Sequence, residues 1–138
     1  RRVRVVYPLM IKNLQRGRLQ QTGPAEYRLG DLDLWLHLRQ RDGAVPGIEI
    51  YRCIKYADEL RKHLGWSDLR AIQRLGIHSF RKHFAGLLVY GWKSVALMSG
   101  GGLCAPFLGE DGDDVVDGWD SLRDTRWSIN MPALRFRA

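Results

Sequence analysis

Apolar residues recur at a helical interval along one long stretch, Ser79–Ser99. Phe80, Phe84, Leu87, Leu88, Val95 and Met98 share one stripe of a helix of about 3.6 residues per turn, with Gly91 in the gap. Ser79 stands where a hydroxyl accepts from the unpaired N–H groups of a first turn, and Gly100, Gly101 and Gly102 form a stop. The spacing predicts a central helix over 80–99, about 30 Å long. That length matches a bilayer's hydrocarbon core, and Lys93 is the only charge between Phe84 and Leu108. Two readings follow. As the core helix of a soluble domain, the segment lets Lys93 reach water or a carboxylate. As a single membrane span, it sends Lys93 toward the headgroups near Gly100. Tyr90 and Trp92 lie mid-segment instead of at its ends, which counts against the span.

Elsewhere the pattern is shorter-ranged. Val3, Val5, Val6 and Tyr7 predict a strand over 2–7, closed by Pro8. Leu9–Leu14 suits one or two helical turns, and residues 16–28 read as a basic loop. From Asp31 to Arg39 leucine takes every even place, which predicts a strand with leucines inward, and pairing with 2–7 would make a small antiparallel sheet. Ile50, Ile54, Ala57, Leu60 and Leu64 predict a helix ended by Gly65, and Leu69, Ile72 and Leu75 a second one capped by Ser67 and ended by Gly76. Leu103–Leu108 leads into an acidic loop from Gly109 to Asp117, and the tail to Ala138 carries large apolar residues without a period. The expected fold is mainly α with a small N-terminal β element, of the α+β class. It forms one domain over 1–138: a basic β/loop part over 1–47, three consecutive helices over 48–99, then an acidic loop and extended tail over 100–138.

Charge adds a direction. The net charge is +7, and arginine outnumbers lysine 17 to 5. Residues 1–83 carry +9 and residues 84–138 carry −2, so the sign changes at the central segment, as the positive-inside rule expects of a span. Basic chains of this kind meet nucleic acid, anionic lipid or acidic proteins. Arg61, Lys62, Arg70, Arg74, Arg81 and Lys82 cluster on the expected helices and are the candidate contacts to phosphate, lipid headgroups or RNA. Trp119, Trp127 and Phe136 are the candidate partner contacts, because apolar residues in an aperiodic terminal segment need a surface to lie on. The start at Arg1-Arg2 suggests processing, and with it an organelle.

Few residues suggest chemistry. His78 and Arg81, within Ile77-His78-Ser79-Phe80-Arg81-Lys82-His83-Phe84-Ala85, resemble the His-x-x-Arg box of tyrosine recombinases. The resemblance implies a pair that opens a buried helix and contacts a phosphate. The family's second His or Trp falls where this chain has glycines, and no tyrosine follows Tyr90 to serve as nucleophile. An active recombinase is thereby excluded, and a degenerate DNA-binding relative is the remote alternative. His78 and His83 lack cysteines at zinc spacing, and Glu110–Gly118 fails the register of a calcium loop. Cys53 and Cys104 read as buried thiols. No catalytic residue, metal or cofactor is expected.

These features favour a non-catalytic accessory or structural subunit of a large organellar assembly. The leading address is a mitochondrial inner-membrane complex of the respiratory type, on the membrane or its matrix side. Its partners would be other protein subunits, with anionic lipid or RNA at the basic part and membrane at 80–99. The alternative is an rRNA-binding structural protein of an organellar ribosome.

Overall fold

In a computed structural model that describes residues 2–7 and 23–137, strands and helices each take about a third of the chain. This corrects the mainly helical fold expected from the apolar stripe. The expected turns of Leu9–Leu14 and the basic stretch up to Thr22 lie outside the described residues. In chain order the elements are β1 (Arg2–Arg4), β2 (Glu26–Arg28), β3 (Leu32–Trp35), β4 (Val45–Pro46), α1 (Gly47–Tyr56), α2 (Trp66–Gln73) and α3 (Ile77–Phe84). Then come β5 (Val89–Tyr90), β6 (Ala96–Leu97), β7 (Leu103–Asp111), β8 (Asp114–Ser121), β9 (Arg126–Trp127) and β10 (Ala133–Phe136).

The helix expected over 80–99 stops at Phe84. Gly86 turns the chain at φ +77°, a conformation open to glycine at little cost. Gly91 then passes so close to the next layer that a Cβ there would lie 3.1 Å from the Leu64 carbonyl oxygen. Between them Leu87-Leu88-Val89-Tyr90 is an apolar run that suits a strand buried on both faces as well as a helix, and its β-branched and aromatic members favour the strand. Among the described residues no helix is long and apolar enough to cross a membrane, which removes the expected span.

The main sheet has six strands. β10 lies between antiparallel β3 and parallel β5. β5 and β6 pair in succession along one edge of β7, and β8 takes its other edge. Pro106 can sit within β7 because its carbonyl accepts from the Gly91 N–H at 3.0 Å. Its missing N–H therefore falls on that same edge, at the break between β5 and β6 where the 3₁₀ turn Trp92–Ser94 interrupts the ladder. The expected acidic loop is thus the end of a hairpin, and the tail supplies the strand beside β5. The expected pairing of residues 2–7 with the leucine strand is also replaced. β1 pairs with β2 and β3 with β10, and of the alternating leucines Leu32 is buried while Leu34 and Leu38 face outward.

Alternation splits the core between the two faces. Val89, Leu108 and Leu134 pack with α2 and α3, while Tyr90, Ala105 and Ala133 pack with α1 and β9. The helix boundaries shift as well. α1 ends at Tyr56, not near Gly65, because Asp58 takes the left-handed conformation at φ 55° and closes a Schellman pair, Asp58 N–H to Lys55 O and Glu59 N–H to Ile54 O. α2 is capped by Gly65 and not Ser67, and α3 starts before Ser79. Cys53 is exposed and Cys104 half-buried, contrary to the buried thiols expected, since Cys53 flanks the buried Ile50–Ile54 stripe of α1 and is not part of it.

Candidate functional site

The end of α1, β3 and β10 enclose a cavity of about 230 Å³ lined by Trp35, Cys53, Ile54, Ala57, Glu59, His63 and Arg135. His63 reaches it because the 3₁₀ turn Leu60–Lys62 delivers the chain into an isolated antiparallel bridge with Arg135. Burial, with the nearby charges of Arg135 and Lys93, pushes the His63 pKa down to about 4, so the imidazole is neutral at pH 7. Its Nδ1 is buried without a hydrogen-bond partner among the described residues. A buried group left unpaired in this way costs roughly 1–3 kcal/mol. Trp35 sets its ring edge-to-face with the imidazole, with centroids 5.6 Å apart. Arg135 stands 3.4 Å from Asp33 and 3.5 Å from Glu59, longer than a tight charge-assisted pair.

On the opposite face of the sheet from α1, Asp68 is fully buried. One of its oxygens accepts from the Tyr7 and Tyr27 hydroxyls at 2.6 Å each, and the other from the Gly65 N–H at 2.9 Å. The carboxylate thus pins the β1–β2 ribbon to the start of α2. Burial, reinforced by Asp68, raises both phenol pKa values well above their ordinary range, so the hydroxyls stay donors. Replacing Tyr27 with phenylalanine is expected to cost about 1.5–3 kcal/mol by urea denaturation, the worth of a hydrogen bond to a charged group. Lys93 stands nearby in its 3₁₀ turn, half-buried, its ammonium 6.0 Å over the Phe136 ring. Burial lowers its pKa and the charge of Asp68 opposes that shift. The carboxylate that Lys93 senses is therefore buried within this chain.

A second concavity, of about 350 Å³, is lined by Pro46, Ile48, Gly102, Leu103, Leu122 and Arg123. Register extends it: Leu97 pairs with Leu103 and Arg126 with Pro46, so each stands on its neighbour's face. Leu97 and Leu103 are 36% and 39% exposed. Arg52 follows Ile48 by one turn of α1. The floor is apolar, Arg123 is the charged residue of its lining, and Arg52 and Arg126 stand next to lining residues. Arg123 pairs with its neighbour Asp124 at 3.3 Å, while Arg52 and Arg126 make no ion pair among the described residues.

The six basic candidates divide. Arg61 and Lys62 pair within their own turn, with Asp58 and Glu59. Arg70 meets Asp117 at 3.7 Å, and Arg81 donates from Nε to Glu110 at 2.9 Å and also to the Gly112 carbonyl. The Gly86 N–H, first, and Arg81 together hold the Glu110 carboxyl below its usual range. The acidic hairpin therefore faces α2 and α3, and much of the charge asymmetry of the sequence is satisfied inside the fold. Arg74 and Lys82 are exposed and make no ion pair among the described residues. His78 is exposed too, so of the recombinase-like pair one member faces outward and the other is held by the hairpin.

Of the aromatic candidates, Trp119 leans on Trp66, with centroids 5.0 Å apart, and the Arg70 guanidinium lies over the Trp66 ring at 5.5 Å from its centroid. Phe136 packs edge-to-face on Tyr27. Trp127 is fully buried in this chain's own core. Sequence reasoning passed over His63, Glu59, Arg135, Arg123 and Arg126. His63 falls inside the helix expected to run to Gly65, where nothing sets it apart, and its partner Arg135 comes from a strand hidden in the aperiodic tail. Among the described residues no group of three or more His, Cys, Asp or Glu could hold a metal ion. Comparison with protein-family models, curated proteins and solved structures finds no match.

Proposed function

We propose that this chain is a non-catalytic, protein-binding subunit of a larger assembly, and that it takes an acidic segment of its partner, anchored by an apolar side chain. The observation that carries the reading is the groove of Pro46, Ile48, Leu103 and Leu122, with exposed Leu97 paired to Leu103, Arg123 in the lining, and a cationic rim completed by Arg52 and Arg126, which adjoin lining residues and make no ion pair among the described residues. Apolar floor and charged rim are the composition of an interface patch, and the sign of the rim selects an acidic partner. The basic residues first suspected of contacting phosphate support nucleic acid less, because four of the six are engaged by acidic side chains of the same chain.

The test is affinity capture with a photo-crosslinking residue at position 97, comparing the unsubstituted chain with Leu103→Asp and Arg126→Glu. The expected result is one protein crosslinked through an acidic segment and lost with both variants. Capture that survives both, or that RNase releases, overturns the reading, the second outcome in favour of RNA.

A further inference from the structure

The groove and the His63 cavity are separate places, and the cavity has a chemistry of its own. Its lining holds one cation, Arg135, and one anion, Glu59, 3.5 Å apart; each has a further partner outside the lining, Asp33 at 3.4 Å from Arg135 and Lys62 at 3.6 Å from Glu59, and all three pairs are longer than a tight charge-assisted contact. A ligand bearing only negative charge meets Glu59, and one bearing only positive charge meets Arg135, so neither is matched. A molecule carrying both charges a few bonds apart satisfies both walls. Ile54, Ala57 and Trp35 supply the apolar remainder of the lining. At about 230 Å³ the space is below the usual range of drug-sized pockets and suits a small metabolite. His63, 1% exposed, adds a neutral imidazole whose Nδ1 has no partner among the described residues. The ring lies against the space, which makes its signals a reporter of a ligand there.

We propose that the cavity between α1, β3 and β10 binds a small zwitterion of the α-amino-acid class, with its carboxylate on Arg135, its ammonium on Glu59 and a short apolar side chain against Ile54 and Trp35. Cys53 at the lining gives a reporter independent of the ligand's own contacts. It is exposed, whereas Cys104 is half-buried with burial raising its thiol pKa, so the two thiols differ in reactivity toward a disulfide reagent.

The experiment titrates the folded chain with leucine, glutamine and phenylalanine, following the His63 ring nitrogens by NMR and the rate of Cys53 modification. 4-Methylpentanoate and 3-methylbutylamine, each lacking one of leucine's charges, serve as controls. At least one amino acid is expected to shift the His63 signals saturably and slow Cys53 modification, with at least tenfold weaker response from both analogues. Arg135→Gln and Glu59→Gln should each weaken it tenfold or more. Ala57→Leu, at an exposed position that leaves the charges in place, should block it with the fold intact. The proposal is overturned if no amino acid at 10 mM moves His63, if an analogue with one charge acts as strongly as leucine, or if the response survives Ala57→Leu.

Discussion

Replacing Trp127 with alanine is expected to lower the unfolding free energy by about 3–5 kcal/mol, read from urea denaturation at constant m-value. The side chain is fully buried, with its ring 5.2 Å from both Tyr90 and Trp92. Backbone is fitted to it as well: a Cβ on Gly47 would come within 2.4 Å of the indole, so the first residue of α1 rests directly on the ring. Alanine would empty that volume beneath a helix start and two strands, none of which can collapse without breaking β4–β9 pairing. Phenylalanine is expected to cost less than its lost volume suggests. The indole N–H has no acceptor among the described residues, and removing an unpaired buried donor offsets part of the loss. The same variant separates two roles. A partner-contact tryptophan would leave stability unchanged on truncation and weaken only binding.

Trp127 shows why the C-terminal third was hard to read. Its apolar residues follow no single period because β8, β9 and β10 are short and serve different neighbours: Trp127 is buried under α1, Leu134 under α2, and Trp119 leans outward on Trp66. Local spacing sees an aperiodic tail, and only the register with β3, β4, β5 and β7 explains it. The helices α1 and α2 were recognisable because their apolar residues fall one turn apart on one face, with Ile50 and Ile54 buried on one and Leu69 and Ile72 on the other. Beyond Phe84 the stripe continued by coincidence, since a doubly buried strand and a helix core draw on the same residues and Gly86 decides between them by backbone geometry. The site residues were less visible still. His63 and Arg135 meet across an isolated bridge, and Pro46 and Arg126 across a two-residue ladder, contacts that leave no mark on neighbouring positions.

On the acid side of neutrality the largest pH effect is expected from His63. Its pKa in the folded chain lies at about 4, against 6.5 for the exposed imidazole of the unfolded chain, because burial and then the charges of Arg135 and Lys93 oppose protonation. Above pH 6.5 both states carry a neutral ring and the full stability is present. As pH falls below 6.5 the unfolded chain takes up the proton first, so stability declines until the folded ring also titrates near pH 4, by about 3 kcal/mol in all. Unfolding free energies by urea at pH 4.5, 5.5, 6.5 and 7.5 should therefore rise with pH and level off above 6.5. Asp33, held low chiefly by Arg137, and Glu110, held low chiefly by the Gly86 N–H, lose their contributions at more acid pH and steepen the lower end of the curve. His63→Leu isolates the cause. It removes the proton uptake and the unpaired Nδ1 while keeping an apolar group against Trp35, so its stability should be nearly flat over that window and exceed the unsubstituted chain at pH 4.5. A slope that persists in His63→Leu would assign the acid sensitivity to the carboxylates instead. A flat curve in His63→Leu would mark the histidine as a group the fold can replace with hydrocarbon at a gain in stability, because the buried ring gives up a proton-binding site and an unpaired nitrogen together.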